Sequence, residues 1–289
     1  MILKFWGIRG SIPVPGEKTI KFGGNTPCVQ IITKNDIIIL DAGTGIRELG
    51  KNLIQTGTNK KNISILLTHN HWDHIQGIPF FLPLFRKEYT IDIYSNPNNG
   101  LNALSVVDAL MNPNFFPVDK EIFNADIKYH TILPEQTIKI GQTSVETKKV
   151  NHSKGTLAFK ISENDKTIVY MTDNEIKYEE KDNHINSTTL STLNEDIIEF
   201  CNNSDYLIHD SMYSFKDFKS KKGWGHSNNI SVAYLSLLAG IKNLFLFHFD
   251  PDYSDEEVNN MLEETNRIFT VNDSKINCYA SKEGLEIEI

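Results

Sequence analysis

Cysteine is scarce in this chain. Three stand far apart among 289 residues, at Cys28, Cys201 and Cys278, and no two form a Cys-x-x-Cys pair. That excludes a disulfide framework and reads each cysteine as a small buried apolar residue. Long apolar runs are missing too. None nears the roughly eighteen residues a membrane span needs, so no membrane partner is expected. The start, Met1-Ile2-Leu3-Lys4-Phe5-Trp6, has no basic leader and no small-residue cleavage site, and the expected location is cytoplasmic. Positive charge is in deficit, with a net charge of −8. An acidic surface repels phosphate backbones, so long nucleic acid is not an expected partner. A small anionic substrate stays open, because bound dications reverse the sign locally. The Gly23-Gly24-Asn25-Thr26-Pro27 loop lacks the Lys-Ser or Lys-Thr of a phosphate loop. It reads as a tight turn that could offer backbone donors to a ligand. No linker, repeat or low-complexity tract interrupts the chain, which reads as one domain over residues 1–289.

Against these absences stands one dense stretch, Thr68-His69-Asn70-His71-Trp72-Asp73-His74. Four candidate ligands fall within six residues, directly after the apolar run Ile63–Leu67. A strand ending in imidazoles and a carboxylate places ligands at the carboxyl edge of a sheet, where open α/β folds carry their sites. Neutral imidazoles with carboxylate suit zinc, iron or manganese. One such cluster needs partners from elsewhere in the chain.

The coarse pattern supplies them. Strands are predicted over 2–8, 28–33, 37–40, 63–67, 91–94, 138–140, 143–150, 156–161, 167–171, 205–208 and 243–247, with a last strand or pair from Ile276. Helices are predicted over 46–55, 101–111, 195–201 and 230–239, and from a Ser254–Glu257 capping box to about Phe269. Asp41 stands at a strand-to-helix junction, either behind a metal site or as a cap. His152 and Asp173 each follow a strand, as do His209-Asp210 and His248, and His226 precedes a helix. Only His130 and His184 depart from this placement, and His184 reads as solvated. The polar stretch 174–194 reads as a mobile surface loop or lid. The Asn112–Val118 loop is a hydrophobic plug, a subunit contact or a base-stacking lip. A homodimer is compatible with this sequence, with Phe115-Phe116 as the candidate contact.

His69-Asn70-His71-Trp72-Asp73-His74, followed in order by Asn151-His152-Ser153, Thr172-Asp173-Asn174 and Leu246-Phe247-His248, resembles the metallo-β-lactamase superfamily over nearly the whole chain. The resemblance implies an α/β fold, a four-layer αββα sandwich of two mixed β-sheets flanked by helices. It implies two divalent metal ions, zinc as the first expectation with manganese or iron also fitting. His69, His71 and His152 would hold one ion. Asp73, His74 and His248 would hold the other, Asp173 would bridge them, and Asp41 would support the site from outside. A dinuclear site lowers the pKa of bridging water toward neutral and grips two phosphodiester oxygens.

Ile208-His209-Asp210-Ser211 and Gly225-His226-Ser227 resemble paired motifs of the phosphodiesterase branch, which includes the tRNA 3′-end nuclease. By that resemblance Asp210 orients His226, and His226 protonates the leaving oxygen as general acid. Asp73 is counted with these catalytic residues as well as with the ligands. The nuclease carries Glu where this chain has Asp210, so the shorter arm puts that contact in question. The nuclease also inserts a tRNA-gripping arm between the positions of His152 and Asp173, where this chain has only a hairpin around Asn164-Asp165. Phe5-Trp6-Gly7-Ile8-Arg9-Gly10-Ser11 and Gly223-Trp224-Gly225-His226-Ser227 resemble prokaryotic relatives of cyclic-nucleotide phosphodiesterases. The expected activity is hydrolysis of a small phosphodiester, a cyclic nucleotide first. The alternatives are RNA 3′-end processing, thioester or lactam hydrolysis on the same fold, and a non-catalytic metal-binding sensor.

Overall fold

The computed structural model describes residues 1–97, 100–181 and 184–289. In chain order the strands are β1 (Ile2–Gly7), β2 (Cys28–Ile32), β3 (Ile37–Leu40), β4 (Asn62–Leu67), β5 (Thr90–Ser95), β6 (Asp126–Thr131), β7 (Thr137–Ile140) and β8 (Thr143–Lys149). They continue as β9 (Leu157–Glu163), β10 (Lys166–Met171), β11 (Glu180–Lys181), β12 (His184–Ile185), β13 (Tyr206–Asp210), β14 (Asn243–Phe247), β15 (Asn277–Ala280) and β16 (Glu286–Glu288). The helices are α1 (Gly45–Thr56), α2 (Trp72–Ile75), α3 (Ala103–Leu110), α4 (Ser187–Leu193), α5 (Glu195–Cys201), α6 (Phe215–Phe218), α7 (Asn229–Leu238) and α8 (Asp255–Val271).

Two seven-stranded sheets form, in the orders β16-β1-β2-β3-β4-β5-β6 and β15-β14-β13-β10-β9-β8-β7. Both are mixed. In the first, β3 to β6 run parallel and β16, β1 and β2 join antiparallel. In the second, β10, β13, β14 and β15 run parallel while β7, β8 and β9 meander into them. The sheets stack face to face with helices outside, as the resemblance implied.

Strand β4 shows why its run is almost wholly apolar, with Ser64 as the one polar residue inside it. Ile63, Ile65 and Leu67 face the layer packed by Ile46, Leu49, Val106 and Leu110 of α1 and α3, whereas Leu66 joins the core between the sheets. A parallel strand covered on both faces has no polar side to alternate with. The carboxyl ends of β3, β4, β10, β13 and β14 therefore open onto the same rim, and each hands the chain to Asp41, Thr68-His69, Thr172-Asp173, Ser211 or His248.

Two expectations need correction. The 174–194 stretch is not a free loop. Ile176, Tyr178, Ile185 and Leu190 are buried in the central core, and β11, β12 and α4 lie in it. Its polar residues serve as local caps: Asn186 accepts from the Thr188 and Thr189 amides, and Asn194 ties Lys177 to Leu190. Residues 182 and 183 of that stretch lie outside the described residues. His184 is exposed, as read. The Gly23–Pro27 loop does not hold donors out for a ligand. The Asn25 amide and side chain both bond the Glu283 carboxylate, and the Thr26 amide donates to Thr44 Oγ1.

The capping box at α8 is formed as predicted, with the Glu257 amide donating to Ser254 Oγ and the Ser254 amide to the Glu257 carboxylate. Ser254→Ala is expected to cost about 1 kcal/mol of folding stability, read from the urea midpoint with an unchanged slope. An unmoved midpoint would show that α8 holds by packing alone.

Candidate active site

Three of the residues placed on the rim adopt left-handed backbone that side chains other than glycine rarely take: Asp41 at φ 60°, Asp173 at φ 49° and His248 at φ 61°. Each such residue costs on the order of 1–3 kcal/mol and persists only where its surroundings impose it. At these three strand ends the unusual backbone turns the side chain back over the rim.

The side chains meet there. Asp173 divides its two carboxylate oxygens. Oδ2 lies 3.5 Å from His69 Nε2 and 3.4 Å from His152 Nε2. Oδ1 lies 3.2 Å from both His74 Nε2 and His248 Nε2. Asp73 Oδ2 is on the second side only, 3.3 Å from His74 Nε2 and 3.2 Å from His248 Nε2. On the first side, His71 Nδ1 and His152 Nε2 stand 3.1 Å apart. Ligand-type atoms thus gather as His69, His71, His152 and Asp173 in one group and as Asp73, His74 and His248 in another. All seven residues expected to converge do so. His209, though at a strand end, turns inward. Its Nδ1 donates to the Asp210 carbonyl at 2.7 Å and its Nε2 accepts from Asn174 at 3.2 Å. His130 pairs with Asp92 on the first sheet, away from the rim.

The group is poorly satisfied by protein alone. Nε2 of His69, Nε2 of His74 and Nδ1 of His248 are buried without a hydrogen-bond partner among the described residues. Burial pushes His69 well below the usual histidine range, and His71 and His152 below it as well. These rings are held neutral with lone pairs inward. Asp73 and Asp173 are lowered too, for a different reason: burial would raise them, but the surrounding histidines, His74 and His248 foremost, outweigh it. His74 is raised well above its ordinary range, since Asp73, Asp173 and Asp41 outweigh its burial. The cluster has the donor chemistry of a divalent-ion site, in which positive charge belongs among these carboxylates.

Around it lies a layer that orients the rings. Asp41 Oδ2 accepts from His74 Nδ1 at 2.8 Å and from the Tyr170 hydroxyl at 2.9 Å, while Oδ1 accepts from the Thr68 amide at 2.8 Å. Asp41 therefore supports the site. The first turn of α1 is led by Thr44, without a side-chain cap. His152 Nδ1 donates to the Gly225 carbonyl at 2.9 Å. The Ser11 amide donates to Asp73 Oδ2 at 2.8 Å. Fully buried Arg9 anchors that segment by donating to the carbonyls of Gly23, Asp250 and Tyr253. Glu175 grips the Gly223 and Gly225 amides. Two glycines are required by close approach: a Cβ on Gly10 would lie 2.7 Å from His248 Cε1, and one on Gly225 would lie 2.4 Å from His152 Nδ1. Tyr170, Ser11, Arg9 and Glu175 carried no ligand signal in the sequence.

Asp210 reaches His226 despite its short arm, with Oδ2 2.9 Å from Nδ1. Asp210 is itself fixed by the Asn174 and Met212 amides. Burial would lower the His226 pKa, but Asp210 overrides it and raises it to about 9. The His226 ring stacks on His248, with centroids 5.2 Å apart, and so stands at the edge of the cluster.

The sequence model of the family described as "Beta-lactamase superfamily domain" matches residues 37–249. The chain belongs to this superfamily. Ribonuclease Z of Picrophilus torridus is 26% identical over 317 aligned positions, spanning 99% of this chain and 95% of that protein. Among solved structures, the metallo-β-lactamase fold protein YhfI from Bacillus subtilis superposes with a TM-score of 0.69 at 17% identity, covering 100% of this chain and 98% of that one. Yeast PDE1 superposes at 0.67 and 14% identity, covering 100% and 99%. The relatives that align over nearly the whole chain are named Ribonuclease Z, and the rim of this chain gathers the donors of a divalent-ion site. Among the described residues no helix is long and apolar enough to cross a membrane.

Asp41→Ala removes the acceptor of four buried donors, the Thr68 amide and hydroxyl, His74 Nδ1 and the Tyr170 hydroxyl, at about 1–3 kcal/mol for each left unpaired. The variant is expected to lose several kcal/mol in urea unfolding. A loss below about 1 kcal/mol would show that water replaces the carboxylate and that the network carries little.

Proposed function

We propose that the rim cluster holds two divalent ions and that the chain uses them to hydrolyse a phosphodiester, with His226 as general acid. His69, His71 and His152 would hold one ion, Asp73, His74 and His248 the other, with one Asp173 oxygen toward each. Zinc comes first, and manganese or iron suit the same donors. Bound there, such ions supply Lewis acidity and bring the pKa of water toward neutrality. The protein's own part is positional. Asp210 engages His226 Nδ1, which leaves Nε2 as the proton-carrying atom beside the cluster. The raised pKa keeps that proton in place at neutral pH, ready for a departing alkoxide. The 2.9 Å Asp210–His226 contact carries this reading. Thioester or lactam hydrolysis has no task for such a pair.

For the substrate, the ribonuclease Z relatives that align over the whole chain favour an RNA end over the cyclic nucleotide first expected. A small diester remains the second reading, on one specific observation. Between β9 and β10 the chain makes a tight two-residue turn at Asn164-Asp165, both left-handed. The 317-position alignment also exceeds the 289 residues present, so at least 28 positions of that relative have no counterpart here. A site without a gripping arm on an acidic chain is suited to a short or mononucleotide substrate.

Chelator treatment is expected to abolish hydrolysis of bis(4-nitrophenyl) phosphate, and Zn²⁺ or Mn²⁺ to restore it. His71→Ala should remain inactive at every metal concentration. His226→Ala is expected to lose about 10²–10⁴-fold on a nucleotide diester with an alkoxide leaving group, and far less when nitrophenolate departs. Equal losses on both substrates would remove the acid role. A panel of cyclic mononucleotides and short RNAs with 3′ extensions separates the two substrate readings. Thioester turnover without phosphodiesterase activity would overturn both.

A further inference from the structure

Beside the cluster, on the other side of the 69–74 loop, lies a half-enclosed cavity of about 400 Å³. Its walls are Trp72 and Ile75 from α2, Val106 and Leu110 from α3, and Phe115 from the loop after α3, with Asn70 at the side shared with the cluster. Trp72 and Phe115 are exposed, Phe115 by 86%. A large unpaired aromatic ring at the mouth of an apolar cavity next to a hydrolytic centre is better explained by a ligand than by packing. Asn70 adds the chemistry. Both its amide atoms, Nδ2 and Oδ1, are shut from solvent and have no hydrogen-bond partner among the described residues. Such an amide demands an explanation. No bond restrains it, and the terminal torsion of asparagine is broad, so a turn about it presents a paired donor and acceptor to the cavity. Asn70 stands between His69 and His71 in the chain, so a group it held would lie within one nucleotide's length of the cluster.

We propose that this cavity binds the nucleobase of the nucleotide whose phosphate is processed, with Trp72 and Phe115 as stacking faces and the Asn70 amide as the reader of the base edge. This rests on the phosphodiesterase reading above. A planar aromatic ring matches the two ring faces, and an asparagine amide matches the adjacent acceptor and donor of adenine. A purine with that edge is the favoured occupant.

The test is binding of adenosine 5′-monophosphate to the metal-loaded chain by calorimetry, with ribose 5-phosphate as the control that lacks a base. Adenosine 5′-monophosphate is expected to bind about tenfold tighter. Asn70→Leu and Phe115→Ser are each expected to shrink that advantage to about threefold or less, while ribose 5-phosphate affinity stays unchanged. Phe115→Ser alters only an exposed ring, so it reports even where Asn70→Leu disturbs the fold. Equal affinity for the two probes in the unsubstituted chain, or an undiminished advantage in both variants, would overturn the proposal. So would a dimer in sedimentation that Phe115→Ser dissociates, since a second copy would then cover the cavity. Failure of the phosphodiesterase reading appears separately, as no turnover of bis(4-nitrophenyl) phosphate, and leaves the titration readable.

Discussion

The carboxylate of Asp41 is the point on which the rest of the rim depends. It is fully buried at the end of β3 and accepts from His74 of α2, from the Thr68 backbone at the end of β4, and from Tyr170 of the opposite sheet. A buried carboxylate is tolerable only when fully hydrogen-bonded. Meeting that demand pins the two sheets together at the edge where the ligand-type residues emerge. The same contact fixes His74 Nδ1 as the outer nitrogen and turns Nε2 toward Asp73 and Asp173. Such outer partners set ring orientation and basicity in metal sites.

From that anchor the division of the cluster follows. Asp173 sits between two groups of imidazoles with one oxygen toward each, its left-handed backbone held by the packing of β10 against β13 and β9. His226 approaches from outside, fixed by Asp210 and backed by a loop that Glu175 holds by two amides. The base cavity shares its wall with the same loop that carries His69 and His71. One short segment, 69–74, thereby separates the ligand cluster from the apolar cavity: His69, His71, Asp73 and His74 turn to one side, and Asn70 and Trp72 line the other.

Much of this was legible in the residues. His69, His71, Asp73 and His74 announce themselves because ligand spacing is local. His152, Asp173 and His248 are legible because each follows a β-prone run, and parallel strands share a carboxyl edge. His209 shows the limit of that logic: it sits at a strand end yet points into the core, while its neighbour Asp210 faces the rim. The 174–194 stretch misled for a related reason. Its polar composition signals a loop, but Ile176, Tyr178, Ile185 and Leu190 are spaced to bury, and its asparagines bond the backbone locally instead of facing water.

What the sequence by itself determined is the superfamily, the positions of most strands along the chain and the identity of the seven converging residues, all written in short-range pattern. Only the tertiary structure decided which residues support them. Tyr170 reaches Asp41 across 129 positions and Ser11 reaches Asp73 across 62. Gly10 and Gly225 are needed because a histidine from a distant segment lies against each. The Asp210–His226 contact likewise survives a shorter side chain because the fold brings the end of β13 and the loop before α7 close enough. Contacts of this kind are set by how two sheets stack, and no local spacing encodes that distance.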